Sequence, residues 1–227
     1  MPIHYITNKA EDFPSPEKAD ANGIVAIGGD MKPDRVLNAY KKGIFPWFSP
    51  WDPIMWWSPD PRFVLFPDEL KVSKSMRPYF NQNKFKITFD THFNEVVTAC
   101  AKSNRKGEVG TWINKEIKTV FSEFHQSGLA HSIEVWENDK LVGGLYGLSL
   151  GSMFFGESMF SQVPNASKFG FITLVNWLKL KNFTLIDCQV HTDHLGSLGA
   201  KGIPRKKFLE LLETGLQQPA LQGKWEL

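Results

Sequence analysis

The chain has 227 residues, 42% hydrophobic and 22% charged, with a formal net charge of +2 at pH 7. With 13% aromatic residues and so small a net charge, it does not have the composition of a disordered chain. No apolar run is long enough to span a bilayer, Met1 to Ala10 have no basic end followed by an apolar core, and Cys100 and Cys188 fit free thiols in a cytoplasmic protein.

The length allows one large domain, or one domain with a smaller appendage. Prolines and tryptophans crowd the first stretch: Phe13-Pro14-Ser15-Pro16, the run from Gly43 to Pro50, and Met55-Trp56-Trp57-Ser58-Pro59-Asp60-Pro61. Proline fixes φ and removes a donor, which disfavours long regular elements. Pro33 to Lys42 is the exception, a short helix with proline near its start. Residues 1–65 therefore read as a small, loop-rich N-terminal domain.

Beyond residue 65 the pattern becomes regular. Phe85 to Phe89 reads as a strand, and Asp90 is placed to cap a helix running to about Lys102. Asn114 caps a second helix whose Ile117, Val120, Phe121 and Phe124 form one apolar stripe, and Gly128 ends it. Three strands follow: His131 to Trp136, Leu141 to Leu148 and Met153 to Phe160. Asn138-Asp139 and Gly151-Ser152 supply the turns between them. A helix then runs from about Ala166 to Leu180, with Phe171, Leu174, Val175 and Leu178 on one side. Thr184 to Val190 is a short apolar strand, and Pro204 opens a last amphipathic helix with Phe208, Leu211 and Leu212. The order β-α-α-β-β-β-α-β-α implies an α+β fold, a mixed sheet with helices on both faces over residues 66–227. That order is similar to the one in acetyltransferase-like (GNAT) domains, and order alone does not give function.

Basic residues gather at Lys71, Lys74 and Arg77, at Lys102, Arg105 and Lys106, and at Lys201, Arg205, Lys206 and Lys207. On one face they would hold a phosphate backbone; otherwise they are a solvated surface. Gly156-Glu157-Ser158-Met159 begins like a nucleophile elbow, but Phe160 stands where the second glycine belongs. Cys188, His191, Asp193 and His194 hold metal-ligand chemistry at a spacing that matches no usual structural zinc site. Gly28-Gly29-Asp30 lacks the spacing of a phosphate-binding loop and reads as a turn. The turn Ser161 to Ala166 has no glycine and contains Pro164, which argues against a coenzyme A pyrophosphate cradle.

Many of these strings together carry a specific resemblance. Phe13-Pro14-Ser15-Pro16, Gly28-Gly29-Asp30, the run from Gly43 to Pro50 and Trp56-Trp57-Ser58-Pro59-Asp60-Pro61-Arg62 come first. Gly110-Thr111-Trp112-Ile113, His131-Ser132-Ile133-Glu134-Val135-Trp136 and Gly156-Glu157-Ser158-Met159-Phe160-Ser161 follow. Asn165-Ala166-Ser167-Lys168 and Ile186-Asp187-Cys188-Gln189-Val190 complete the set. In this order, over nearly the whole chain, they resemble the leucyl/phenylalanyl-tRNA–protein transferase family.

The resemblance implies an enzyme that moves leucine or phenylalanine, less readily methionine, from aminoacyl-tRNA to proteins beginning with arginine or lysine, marking them for degradation. It implies an acetyltransferase-like domain used without coenzyme A. The aminoacyl ester already holds the bond energy, so no ATP, metal or other cofactor is expected. By resemblance Asp187 and Gln189 are catalytic; two apart on a strand, they project from one face. Trp47 and Trp112 match tryptophans set around the 3′-terminal adenosine. Leu145, Phe154, Phe171, Leu174 and Ile186 match the pocket for the transferred side chain. Glu157, a carboxylate among Phe155, Met159 and Phe160, is expected to hold substrate, with Ser158 beside it. Trp51, Trp56, Trp57, Trp136 and Trp177 are expected to be structural.

Overall fold

The computed structural model describes residues 4–7, 13–103 and 111–227. Arg105, Lys106 and Gly110 of the strings above lie outside them. In the first stretch, strands β1 (Tyr5–Ile6), β2 (Ile24–Gly28), β3 (Phe45–Pro46) and β4 (Met55–Trp57) form a small sheet in the order β1-β2-β4-β3. Helix α1 (Pro33–Lys41), proline-led as expected, buries Arg35, Val36, Ala39 and Tyr40. β3 and β4 are short because Pro46, Pro50, Pro53 and Pro59 break the run around them, and β2 ends where Gly28 and Gly29 turn the chain at φ 95° and 75°.

A second sheet has seven strands in the order β11-β5-β10-β9-β8-β7-β6. They are β5 (Arg62–Leu65), β6 (Lys86–Phe89), β7 (Ala130–Glu137), β8 (Lys140–Leu150), β9 (Met153–Ser161), β10 (Leu185–Gln189) and β11 (Lys201–Ile203). β10 runs parallel to β9, and every other neighbouring pair is antiparallel. β5, from the last residues of the proline-rich stretch, enters this sheet between β10 and β11. The helices are α2 (Arg77–Asn81), α3 (Phe93–Lys102), α4 (Lys115–Gln126), α5 (Ala166–Leu180), α6 (Asp193–Ser197) and α7 (Arg205–Leu216). Among the described residues no helix is long and apolar enough to cross a membrane.

Alternation along the strands divides the core. Leu145, Phe154 and Ile186 pack with α5, while Tyr146 and Phe155 pack with α1, α3, α4 and α7. The sheet is thus mixed, with helices on both faces, as its element order implied. Asn114 caps α4 by accepting from the Ile117 N–H at 2.9 Å, and that helix buries the expected stripe. Asn138 and Asp139 turn the chain at φ 50° and 57°. β5, β11 and the short strands of the first stretch were not foreseen, since runs of two to five residues carry too little periodicity.

Two expectations are corrected. Asp90 does not cap α3, whose N-cap is His92. Its carboxylate instead accepts from the Ser132 and Trp225 N–H groups at 2.8 and 2.7 Å. The acceptor at the helix start comes from across the sheet: Glu134 takes the His92 N–H at 3.3 Å. Trp51 is not structural; it stands 90% exposed on the turn closed by the Asp52 N–H to Ser49 O bond.

Candidate active site

The site lies where two parallel strands part. β9 and β10 pair only over Met153–Phe155 and Leu185–Asp187. Beyond that point β9 continues beside β8 alone, and a cleft of about 710 Å³ opens between the residues from Gly156 on one strand and those from Cys188 on the other. Each strand carries an extra residue at the fork. Tyr146 faces Ser158 and Gly147 faces Gly156, which leaves Glu157 as the bulged residue of β9. Asp187 faces Val64 and Gln189 faces Phe63, which makes Cys188 the bulge of β10. Bulges re-aim side chains at the end of a ladder. Gly147 permits the first of them, since a Cβ there would stand 2.2 Å from the Phe155 carbonyl oxygen.

A buried polar network occupies the fork. Arg62, fully buried, donates from Nε to Asp187 Oδ1 at 2.8 Å and from Nη2 to Oδ2 at 2.6 Å. Its third nitrogen, Nη1, donates to Gly43 O at 3.2 Å. The guanidinium carbon lies 4.7 Å from the Phe45 ring centre and 4.4 Å from that of Phe208. Such a bidentate, ring-faced pair suits arginine and not lysine. Asp187 Oδ1 also accepts the Gln189 N–H at 2.9 Å. The Gln189 side chain donates from Nε2 to Glu157 Oε1 at 3.1 Å, and Tyr40 Oη donates to the same oxygen at 2.7 Å.

Burial pushes the Glu157 carboxyl up to about 8, against the lowering effect of the Tyr40 hydrogen bond. Burial likewise raises the Tyr40 hydroxyl well above its ordinary range, with Glu157 adding to the shift. At neutral pH the site thus holds a mostly protonated carboxyl beside the Arg62–Asp187 ion pair.

The cleft gathers most of the residues singled out in the sequence. Leu145, Phe171 and Ile186 make apolar wall, and Glu157, Ser158 and Gln189 supply polar groups. Trp47 and Trp112 also line it; Trp47 is 36% exposed and Trp112 only 9%. Phe154 and Leu174 are fully buried in the same apolar cluster as Leu145 and do not reach the cleft surface. Asp187 is also sealed, held behind Gln189 by Arg62. Cys188 lines the cleft with its thiol pushed up by burial and by Asp187. His191 and Asp193 face each other at 4.0 Å on the surface. Among the described residues no group of three or more His, Cys, Asp or Glu is placed to hold a metal ion.

Sequence reasoning missed Tyr40 and Arg62. Tyr40 reads as one more residue on the helix face that carries Val36 and Ala39, and Arg62 as the end of a proline-rich run. The only signal for Arg62 was position: a cation entering the apolar run Phe63-Val64-Leu65 needs a buried partner.

Known proteins place this arrangement. Residues 64–213 match the family model described as leucyl/phenylalanyl-tRNA protein transferase, and residues 29–60 match the model of its N-terminal domain. A leucyl/phenylalanyl-tRNA–protein transferase of Syntrophus aciditrophicus is 52% identical over 94% of this chain and 89% of its own length. One of Myxococcus xanthus is 48% identical over 99% of this chain and 97% of its own. Among solved structures, an aminoglycoside acetyltransferase from a soil metagenomic sample covers 64% of this chain and 98% of its own at 11% identity and a TM-score of 0.39, a likeness too slight to carry weight. Two matching models in sequence order and relatives near half identity along the whole length lead to one assignment: the chain belongs to the leucyl/phenylalanyl-tRNA–protein transferases, a family of aminoacyltransferases.

Proposed function

We propose that the enzyme takes leucine or phenylalanine, and methionine less readily, from aminoacyl-tRNA and joins it to the N-terminal amine of proteins beginning with arginine or lysine. The observation that carries this reading is the cleft at the strand fork, apolar on the Leu145, Phe171 and Ile186 side and ending at the Gln189 amide. An unbranched-at-Cβ side chain fits the apolar end, with Phe154 and Leu174 backing its wall. Trp47 and Trp112 flank the 3′-terminal adenosine, where base stacking contributes roughly 1–3 kcal/mol per base. The acceptor arm follows the basic groups at Lys71, Lys74 and Arg77 and at Lys201, Arg205, Lys206 and Lys207.

The reaction is aminolysis of an ester: the C–N bond forms, the bond from carbonyl carbon to ribose oxygen breaks, and the proton lost by the amine is balanced by the one the ribose oxygen takes up as it leaves as a hydroxyl. A free α-amine has a pKa of about 7.7–8.0, so a useful share is neutral at pH 7. Orientation is then the main task, and it supplies about 7–11 kcal/mol in well-positioned reactions. Gln189 orients the amine through its carbonyl oxygen, Asp187 anchors Gln189, and Glu157 with Ser158 holds the aminoacyl end. In this reading residues 1–65 form a small domain that contributes Trp47 to the adenosine contact, 66–227 form the catalytic unit, and the work is done in the cytoplasm, marking proteins for degradation.

The test is direct. Leucyl-tRNA and a peptide beginning with arginine are incubated with the protein, and leucine is sought at the peptide's N-terminus by mass spectrometry. Transfer to that peptide, and not to one beginning with glutamate, is expected. Intact charged RNA beside an unmodified arginine peptide would overturn the proposal.

A further inference from the structure

The Gln189 amide has two ends of similar shape and opposite hydrogen-bonding sense, and the end left free decides what the cleft offers. Nε2 is engaged, donating to Glu157 Oε1 at 3.1 Å. Among the described residues the carbonyl oxygen accepts no hydrogen bond, yet it is not one of the sealed, unsatisfied polar atoms. It therefore opens onto the cleft that Gln189 lines. A flipped amide would present NH2, a donor, to an attacking amine that itself needs an acceptor.

Tyr40 enforces that choice. Its Oη donates to the same Glu157 oxygen at 2.7 Å, and its ring is fixed edge-on against Phe155 and Phe121. An oxygen already receiving a hydroxyl hydrogen is an acceptor toward Gln189 whether or not the carboxyl carries a proton on its other oxygen. Arg62 acts on the backbone of the same residue. Gln189 sits at φ 63°, a left-handed conformation unfavourable for a side chain with a Cβ. The Gln189 N–H to Asp187 Oδ1 bond holds it there, and Arg62 fixes Asp187 through both carboxylate oxygens.

We infer that Tyr40 and Arg62 are positioning residues for the transfer reaction, Tyr40 through Glu157 and Arg62 through Asp187, which together lock the Gln189 amide with its carbonyl oxygen toward the cleft. The inference rests on the reading of Gln189 as the group that receives the attacking amine. Both positioning residues belong to the proline-rich first stretch, so the catalytic amide on β10 is set by residues far upstream.

Tyr40→Phe removes one hydroxyl and keeps the ring. For leucyl transfer to an arginine-initiated peptide, kcat falls about tenfold, equivalent to ~1.4 kcal/mol in the barrier. KM for the charged RNA changes less than about twofold, since uniform binding is untouched. In a Gln189→Ala background the same substitution has no further effect, because the group it positions is gone. Arg62→Lys likewise lowers kcat in the parent chain and has no further effect in the Gln189→Ala background. Equal losses with and without Gln189 overturn the inference alone; full activity of Gln189→Ala by itself overturns the reading of Gln189 as well. A second measurement does not depend on turnover. With glutamine side chains labelled with ¹⁵N, the Gln189 NH2 signal is protected from solvent exchange in the parent chain and loses that protection in Tyr40→Phe. Undiminished protection overturns the inference.

Discussion

At the β6–β7 edge of the large sheet Asp90 and Glu134 are buried; in its middle, beside β9 and β10, Glu157 and Asp187 are buried. The edge pair is saturated. Asp90 receives the Ser132 and Trp225 N–H groups and His131 Nδ1 at 2.8 Å. Glu134 receives the Thr88 hydroxyl at 2.6 Å, the Thr91 hydroxyl at 2.8 Å and the His92 N–H at 3.3 Å. The central pair is saturated only on one side: Asp187 is closed off by Arg62, but the network ends at the open Gln189 carbonyl beside a cavity. A buried carboxyl whose donors all come from the fold ties elements together; one whose network ends in an acceptor facing a void is, under the proposed function, placed to meet a substrate group.

The largest effect tests the structural cluster. Asp90→Ala strands the His131 ring, the Ser132 N–H and the Trp225 N–H, and releases the C-terminal segment that Trp225 anchors. It should cost about 3–5 kcal/mol, and so lower the melting temperature by roughly 10 °C in a chain this size. Turnover per folded molecule should hold. Lost turnover at an unchanged melting temperature would erase the distinction between the clusters.

Gln189→Ala should do the reverse. It removes an acceptor from the cleft without unpairing Arg62 and Asp187, whose bonds do not involve its side chain. We expect kcat to fall about 100-fold, ~2.7 kcal/mol in the barrier. The melting temperature should shift by less than about 2 °C. A collapse in thermal scans would identify Gln189 as a structural residue.

Both clusters sit in strings that were legible in the sequence, around His131 to Trp136 and Ile186 to Val190, yet their chemistry was not. Helices with full stripes, such as Ile117 to Phe124, could be read because 3.6-residue periodicity is local. The bulges at Glu157 and Cys188 could not, because a bulge is a mismatch between two strands and neither sequence alone records it. Asp90 looked like a cap because an Asp before an apolar run usually is one; its partners Trp225 and Ser132 lie 135 and 42 residues away. The same distance hid Tyr40, 117 residues from Glu157, and Arg62, 125 from Asp187.

Glu157→Gln sharpens the comparison through pH. Burial raises the Glu157 carboxyl to about 8 in the folded protein, against about 4.3 in an unfolded chain. A group with a raised folded pKa binds its proton more tightly when folded. Its stabilising contribution is therefore complete below about pH 4.3 and lost as the pH climbs through about 8. Glutamine does not titrate, so the parent chain should lose stability relative to Glu157→Gln between about pH 6.5 and pH 9, on the order of 2 kcal/mol. Parallel melting curves of the two proteins across that range would mean that Glu157 is charged throughout.

The smallest effect gives the closest test, because it repeats one chemical deletion in both places. Thr88→Val removes a hydroxyl that donates to Glu134 and accepts from Trp136 Nε1 at 2.9 Å. Glu134 keeps the Thr91 and His92 donors, so the loss should be about 1 kcal/mol of stability with no change in kcat. Tyr40→Phe also removes one hydroxyl from a buried carboxyl, yet there the rate should change more than the melting temperature. The carboxyls share burial, and the lost bonds are 2.6 and 2.7 Å. They differ in what the remaining donors to each carboxyl do: Thr91 and His92 stand at the start of a helix, whereas Gln189 faces the cleft. If both hydroxyl deletions moved stability alone, burial beside a cavity would carry no functional meaning in this fold.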